Sequence, residues 1–493
     1  MNNINPQIYL LTEDDIHRII DDAWEVLETV GVEADHENVL RKAADHGFRM
    51  DKASMRLYFD RKKSESIIQN VPASFKLYDR DGLNALTIGN DNVYFDPGSA
   101  AVFWLEPGLT TIRRATSRDC IELAILTDLL PGYRIQSTGV VPSDVPEDIA
   151  DSIRLLFALS FCTKPVITGT FNVNSFAIMK SMLESVAGGS EALKNRPLAV
   201  FDCCPSPPLR WSHLTVSALV DCAVSGIPAE MVSMPLAGAT APVTLWGSLV
   251  QHTAECLSGA IIHQMFGPGS PIVWGGSPAA FDMRHGTPPM GSMETMMIDL
   301  AYAQIGRYLG FPTHAYMACS DAKTPDYQAG MESGIGAVLA VLGRINIVSG
   351  PGFLNYENTQ SPEKLIMDHD ACALAYRLKK GIIQRPDDHP VDIICRHAID
   401  GQFLADQTTR RWHRDEIDPP GSTIYRKSMD DWLRDDRPDA RQLARKKLET
   451  LKNQPHSRLE ENRLQSLTAC LMEACKNKIY SDSIKLHLER YLK

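Results

Sequence analysis

The sequence predicts an α/β protein built on a (β/α)8 TIM barrel, with an N-terminal helical and hairpin cap and a C-terminal helical extension. Eight short apolar runs alternate with eight helix-like segments between residues 92 and 384, which matches such a barrel in count and length. The apolar runs end in small or polar residues, as parallel strands followed by loops do. An open doubly wound sheet is the competing fold, and the absence of G-x-G-x-x-G after the first strand disfavours it.

The stretch from Gly310 to Gly352 contains the clearest complete unit of this repeat. An apolar run (Pro312–Cys319) ends in a polar cluster, a helix-like segment follows over 326–342, and a second apolar run (Ile345–Ser349) ends in Ser-Gly-Pro-Gly. A strand, helix and strand in this order give parallel strands. The polar loops that follow the strands are therefore expected at one end of the molecule.

Residues 1–91 are predicted to form the cap. The segment TEDDIHRIIDDAWEVLETVG (12–31) has apolar residues at helical spacing, acids in its first turn and Gly31 as its stop. A second helix is predicted near 36–46, followed by the extended pieces Arg56–Phe59 and Phe75–Tyr78 and a turn at 79–82. No catalytic motif is apparent in this region.

Residues 92–384 are predicted to form the barrel. The expected strands are Val93–Asp96, Tyr133–Thr138, Pro165–Gly169, Leu198–Asp202, Ala229–Met234, Pro271–Trp274, Thr313–Cys319 and Ile345–Ser349. The expected helices lie near 117–130, 146–162, 174–187, 212–224, 243–265, 291–308, 326–342 and 362–379.

Residues 385–493 are predicted to be a helical extension. Pro386 to Pro390 form a break, and the charged sequence beyond it contains short amphipathic helices at 442–451 and 464–474. Such an extension typically covers one end of a barrel or an oligomer surface, and a homo-oligomer is therefore expected.

Composition excludes several classes of partner. The formal net charge of −11 and the pI near 5.7 argue against nucleic acid and anionic membranes as main partners. No uncharged apolar run approaches the roughly 18–20 residues that span a bilayer. Eleven scattered cysteines without C-x-x-C, and a start without a basic and apolar leader, favour a cytoplasmic location.

The segments that follow the predicted strands should meet at one mouth, and they are rich in aromatic residues. Aromatic faces attract a cation that has no exchangeable protons, so these rings predict a cation-binding cage; the alternative is that they pack beneath loops. The candidate rings are Phe95, Phe171, Trp274, Tyr316, Phe353 and Tyr356.

Polar candidates lie in the same segments. Arg284 and Lys323 could hold an anionic end of a ligand, or they could pair with Asp282 and Asp321 on the surface. Glu332 follows Gln328 by about one helical turn, and Asn172 follows Phe171. Both Gln328 and Glu332 could face the mouth, although Glu332 could instead cap a neighbouring loop.

A metal site is not expected. Cys203 and Cys204 are adjacent, but a zinc site needs three or four protein ligands, and no compact His and Cys motif surrounds this pair. Small buried cysteines are the favoured interpretation. A zinc-dependent enzyme that uses Cys203 or Cys204 is kept as an alternative.

Several motifs resemble those of the trimethylamine methyltransferase family of corrinoid-dependent methyltransferases, and the resemblance extends over nearly the whole chain. These motifs are PASFKLYDRDG (72–82), AAFDMRHGTPPMGSMET (279–295), SDAKTPDYQAGMES (320–333) and SPEKLIMDHD (361–370).

The resemblance implies a barrel that passes a substrate methyl group to the Co(I) of a separate corrinoid protein, with no tightly bound cofactor of its own. The archaeal trimethylamine enzymes carry pyrrolysine, whereas this sequence contains only ordinary amino acids. It therefore resembles the non-pyrrolysine branch, whose members demethylate quaternary amines such as glycine betaine, proline betaine and carnitine. The position equivalent to pyrrolysine is expected after the seventh strand.

The chemistry of a quaternary amine agrees with this branch, because loss of a methyl group leaves a neutral tertiary amine that needs no proton. We therefore expect a glycine betaine:corrinoid-protein methyltransferase that releases dimethylglycine. The alternatives are demethylation of another betaine (proline betaine or carnitine) and a non-catalytic betaine-binding or sensing protein on the same barrel.

Overall fold

The computed structural model describes residues 6–109, 111–385 and 389–492. Helix α1 begins where the sequence predicts, because the Thr12 hydroxyl accepts the Asp15 N–H and the Asp15 carboxylate accepts the Thr12 N–H. The N-terminal region contains α1 (Glu13–Thr29), β1 (Val32–Ala34), α2 (Glu37–Asp45), β2 (Arg49–Asp51), β3 (Arg56–Tyr58), α3 (Arg61–Ile68), β4 (Ser74–Tyr78) and β5 (Ala85–Gly89).

The central region alternates strands and helices, and each of the eight predicted strands overlaps a parallel strand. Its elements are β6 (Tyr94–Asp96), β7 (Phe103–Leu105), β8 (Ile112–Arg114), α4 (Ser117–Leu129), β9 (Gln136–Ser137), a 3-10 helix (Glu147–Ile149), α5 (Ala150–Phe161), β10 (Val166–Gly169), α6 (Ser175–Ala187), α7 (Ser190–Asn195), β11 (Ala199–Cys203), β12 (Arg210–Trp211), α8 (His213–Ser225), β13 (Ala229–Ser233), β14 (Leu236–Ala237), α9 (Leu245–Phe266), β15 (Ile272–Gly276), β16 (Ala279–Ala280), α10 (Met293–Tyr308), β17 (His314–Ala315), α11 (Tyr327–Leu342), β18 (Ile347–Ser349), β19 (Phe353–Leu354), β20 (Thr359–Gln360) and α12 (Pro362–Lys379).

The principal strands form two parallel sheets. One has five strands in the order β15-β13-β11-β10-β9, and the other has three in the order β17-β18-β6. Two further parallel bridges, Phe95 to Tyr133 and Trp274 to Thr313, join the sheets at their edges. The short strands β7, β8, β19 and β20, which the sequence did not predict, form a separate mixed sheet from the segments after β6 and β18.

The hairpin β4–β5 packs against the inner faces of both parallel sheets. Its strands are antiparallel, with Leu77 opposite Leu86 and Phe75 opposite Ile88. Its apolar side chains belong to one buried cluster with residues of β10, β11, β15 and β18. We call this cluster the apolar floor, and it consists of Phe75, Leu77, Leu86, Ile88, Ile135, Ile167, Val200, Val273 and Ile347.

The C-terminal region is helical and packs on the outer helices. Helix α16 contacts α12, and α17 contacts α6. The predicted break includes residues 386–388, which lie outside the described residues. The described elements are α13 (Pro390–His397), a 3-10 helix (Gln402–Ala405), α14 (Gln407–Glu416), α15 (Met429–Arg434), α16 (Ala440–Lys452), α17 (Glu461–Cys475) and α18 (Ser481–Leu492).

Among the residues that the structure describes, no helix combines the length and the apolar character that a membrane crossing requires.

Candidate active site at the carboxyl ends of the parallel strands

Towards the carboxyl ends of the strands, beyond the apolar floor, acidic side chains take the place of apolar ones. Successive strand residues point to opposite faces, so residues two apart share a face. Val200 belongs to the floor, and Asp202 lies two residues later on β11. Asp202 is level with Glu230 on β13, and Asp96 on β6 is level with Ser349 on β18. We call Asp96, Asp202, Glu230 and His314 the acidic cluster.

Glu230 and His314 form the closest pair in the acidic cluster. His314 Nδ1 lies 2.7 Å from Glu230 Oε1, and both side chains are fully buried. Neither group has an aligned hydrogen bond, so this is a polar contact without the geometry of a bond. The Tyr316 ring stands edge-on to the His314 ring, with centroids 4.9 Å apart. The Tyr316 hydroxyl donates to the Ser99 carbonyl at 3.0 Å.

Asp96 is held by two donors. Its Oδ2 accepts the Ser349 hydroxyl at 2.7 Å, and its Oδ1 accepts the Gly98 N–H at 2.8 Å. Gly98 has φ +73°, and a Cβ there would meet the Phe353 ring at 2.4 Å. A glycine is therefore required where the chain turns under Phe353.

Burial controls the protonation of the acidic cluster. It raises the pKa of Asp96 to about 7, against the opposing effect of the Ser349 and Gly98 donors. Burial raises the pKa of Glu230 well above its ordinary value, and burial and then the Glu230 charge do the same for Asp202. Burial lowers the pKa of His314 to about 4. Burial therefore favours the uncharged forms of Glu230, Asp202 and His314.

A strained loop lies beyond the acidic cluster. Asn355, Tyr356 and Glu357 have φ values of 55°, 57° and 64°, and three consecutive non-glycine residues in this region are costly. Burial raises the pKa of Glu357 to about 8 and that of Asp321 to about 6. Lys323 Nζ lies 3.8 Å from the centre of the Tyr356 ring and donates to the Asp321 carbonyl at 2.7 Å.

The structure does not bring all six predicted rings together. Phe95 contacts Tyr376 of α12, and Trp274 contacts Phe311 and His252. Both rings are fully buried on the helix-covered side of their strands. Both residues lie near the carboxyl ends of their strands, but they are one residue out of register with the acidic side chains. A shift of one residue places a side chain on the opposite face of the sheet.

The other predicted rings lie at the carboxyl ends of the strands. Tyr316 contacts the acidic cluster through His314. Phe353 is fully buried against Gly98. Phe171 is partly exposed above the Arg154 guanidinium, and Tyr356 carries Lys323 on its face.

The predicted polar residues are dispersed among these loops. Asn172 donates to the Asp148 carbonyl at 3.0 Å, and Arg284 is exposed. Gln328 donates to Glu332 at 2.9 Å. Glu332 in turn accepts the Ser320 hydroxyl and the Asp321 N–H, so it orders the loop after β17.

The acidic cluster and Arg154 were not among the predicted site residues. A signal for them exists in the sequence, because Glu230 interrupts the apolar strand AEMVS and Asp202 interrupts AVFDC. A charge inside a buried strand is costly, so it indicates a paired or functional group. Among the described residues, no group of three or more His, Cys, Asp or Glu side chains has an arrangement that could hold a metal ion.

A family model described as trimethylamine methyltransferase (MTTB) matches residues 1–475 of this chain. The glycine betaine methyltransferase of Desulfitobacterium hafniense (strain Y51) is 29% identical, over 94% of this chain and 93% of that protein. The trimethylamine methyltransferase MttB of Methanosarcina thermophila is 27% identical, over 94% of this chain and 97% of that protein.

A solved structure has the same type of fold. The crystal structure of the Methanosarcina barkeri monomethylamine methyltransferase MtmB matches with a TM-score of 0.53 and 12% identity, covering 90% of this chain and 88% of that one. At this identity the likeness concerns the fold alone, an α/β arrangement of helices and parallel sheets.

Proposed function

Since this chain belongs to the trimethylamine methyltransferase family, we propose that it takes a methyl group from a quaternary amine, with glycine betaine as the first candidate. The proposed acceptor is the cobalt of a corrinoid carried by a separate protein. The similarity to a glycine betaine methyltransferase over 94% of the chain supports this choice of donor.

We infer that the two parallel sheets form one closed (β/α)8 barrel. The bridges Phe95 to Tyr133 and Trp274 to Thr313 support this closure, since they connect the sheets at both edges. The apolar floor also supports it, because it includes inner-face residues of both sheets. In this proposal residues 92–384 form the barrel, residues 1–91 close its amino end, and residues 385–493 cover its side.

The observation that carries the proposal is the buried acidic cluster at the carboxyl ends of the strands. A quaternary ammonium has a fixed positive charge and no hydrogen to donate, so a site binds it through opposite charge and aromatic rings. A nearby cation lowers the pKa of a carboxyl group. Asp96 and Glu230 can therefore ionise when the substrate enters, and a buried charge is tolerated only when it is paired in this way.

The same carboxyl groups favour product release. Methyl transfer converts the ammonium into a neutral tertiary amine, which removes the charge that kept the carboxyl groups ionised. Their pKa values then rise again, they take up protons, and the neutral product loses its electrostatic attraction. The corrinoid of the partner supplies the cobalt nucleophile that accepts the methyl group.

Tyr316, Phe171 and Tyr356 are the proposed ring contacts for the ammonium, because they lie at the carboxyl ends of the strands. Roles for Phe95, Trp274 and Phe353 stay predictions. The partner is proposed to approach over the segments that follow β13 and β15 and precede α11, where Val243, Met283 and Tyr327 expose apolar surface.

Methyl transfer can be measured directly with the purified protein, a reduced corrinoid protein and glycine betaine. The expected result is the absorbance of methylated cobalt, together with one dimethylglycine per methyl group transferred. Proline betaine, carnitine and trimethylamine are parallel substrates, and omission of the corrinoid protein is the control.

Transfer from trimethylamine but from no quaternary amine would contradict the proposed donor. Binding of glycine betaine without methyl transfer to any corrinoid protein would instead support the non-catalytic alternative.

A further inference from the structure

Arg154 is a buried cation at the carboxyl ends of β9 and β10. It lies in the first turns of α5, and only 2% of its surface is exposed. One Nη donates to the Thr138 carbonyl at 2.9 Å, and the other donates to the Gly169 carbonyl at 3.4 Å. These two carbonyls fix the guanidinium close to Asp202, which is level with Gly169 on the neighbouring strand.

Among the described residues, the hydrogen bonds of this guanidinium go to two backbone carbonyls and to no carboxylate, and its Nε is enclosed without an acceptor. Asp151 affects it at longer range, but the Asp151 carboxylate is occupied by the N–H groups of Ser152 and Phe171. Burial raises the pKa of Asp202 well above its ordinary value and so favours its uncharged form. A buried charge without a partner is costly, so the arrangement suits an anion that arrives from outside.

Phe171 covers the guanidinium on its outer side. The ring centre is 4.3 Å from Arg154 Cζ, and 44% of the Phe171 surface is exposed. The Phe171 N–H is fixed by Asp151 at 2.8 Å, so the ring can turn while its backbone stays in place. Rotation of one partly exposed side chain would open the path to Arg154.

We propose that Arg154 binds the carboxylate of the substrate and thereby selects betaines over quaternary amines that lack an acid group. This inference rests on the proposed function, and it restricts the proposed substrates to quaternary amines that carry a carboxylate. Asp202 is level with Gly169, whose carbonyl bonds Arg154, on one neighbouring strand and with Glu230 on the other, so Asp202 connects the guanidinium to the acidic cluster. In glycine betaine one methylene group separates the carboxylate from the ammonium, so a single ligand can reach both sites.

Calorimetry with glycine betaine and tetramethylammonium tests the inference, because only the first ligand has a carboxylate. We expect the unmodified protein to bind glycine betaine at least about tenfold more tightly, as a charge-assisted bond to a carboxylate provides. In Arg154→Gln that preference should disappear while the affinity for tetramethylammonium stays the same. Arg154→Lys should keep part of the preference, since it keeps the charge but loses the planar fork.

Arg80→Gln is the matched control. Arg80 is also buried and bonds carbonyls of α5, those of Leu159 and Ser160 at the opposite end of the helix. Its loss should leave the ratio of the two affinities unchanged.

The outcomes separate the two proposals. Equal binding of both ligands by the unmodified protein would overturn the role of Arg154 and leave a quaternary-amine site in place; this comparison needs no variant to fold. Equal weakening of both ligands in Arg154→Gln would also overturn that role. Failure of the unmodified protein to bind either ligand would overturn the proposed function and this inference together.

Discussion

The two ends of the parallel strands differ sharply in chemistry although they belong to the same short segments. At the amino end, Val200 and its neighbours pack against the hairpin and exclude water. Two residues later on the same face, Asp202 and its neighbour Glu230 on β13 place carboxyl groups where burial raises their pKa values well above the ordinary range. The comparison teaches that one end is built for stability and the other for binding. Substitutions at the amino end should therefore reduce stability, and substitutions at the carboxyl end should reduce binding or activity.

The largest expected effect is loss of stability at the floor. Leu77 is fully buried in the hairpin, and Leu77→Ala should lower the free energy of unfolding by about 2–5 kcal/mol. Denaturant titration measures this change. Leu83→Ala is the control, because Leu83 lies in the turn of the same hairpin and is 82% exposed. Equal losses of unfolding free energy in both variants would show that burial in the apolar floor does not contribute to stability.

The next effect is loss of activity in the acidic cluster. Glu230→Gln keeps the shape of the side chain but cannot ionise, so we expect kcat/KM for methyl transfer to fall on the order of a hundredfold with little change in melting temperature. Glu255→Gln is the control. Glu255 is a buried carboxyl group on α9 that accepts the Leu209 N–H and the Ser233 hydroxyl, so this variant should lose stability rather than turnover. Full methyl-transfer activity in Glu230→Gln would show that the acidic cluster is not part of the active site.

A smaller effect is the pH dependence of binding. Because burial raises the pKa of Asp96 to about 7, this carboxyl group must release a proton before it can balance a bound cation. Affinity for glycine betaine should therefore rise about tenfold per pH unit below pH 7, and the contribution of Asp96 should level off above it. Calorimetry in buffers of different ionisation heat should detect proton release, and Asp96→Asn should flatten the profile. Proton uptake on binding has the opposite sign and would refute this account.

The smallest effect is expected at the exposed contact between Lys323 and Tyr356. A cation–π contact of this kind changes affinity by about twofold to fivefold. Because Lys323 occupies a face of the Tyr356 ring, where it competes with the ammonium, Lys323→Met should lower the KM for glycine betaine within that range, whereas Arg284→Met should leave the KM unchanged because its side chain is exposed. A larger change in Arg284→Met would restore the original prediction that Arg284 holds the carboxylate.

The sequence was sufficient for the eight parallel strands and for the order in which helices follow them. The helical spacing of apolar residues predicted α1, and eight apolar runs predicted the positions of the parallel strands. Both predictions were possible because the spacing of apolar residues along the chain reflects which side chains are buried. The sequence was insufficient for the site. Phe95 and Trp274 were selected as site residues because they lie at strand ends, yet both pack against helices.

By itself, the sequence determined a repeating α/β chain, its acidic charge and its family, since these depend on composition, local period and motif. Only the tertiary structure decided which residues of each strand face inward, and it thereby brought together Asp96, Asp202, Glu230 and His314 from different strands. The physical reason is that the pairing register between strands is set by contacts between segments far apart in the chain, and residue order does not encode it. A shift of one residue moves every side chain of a strand to the opposite face.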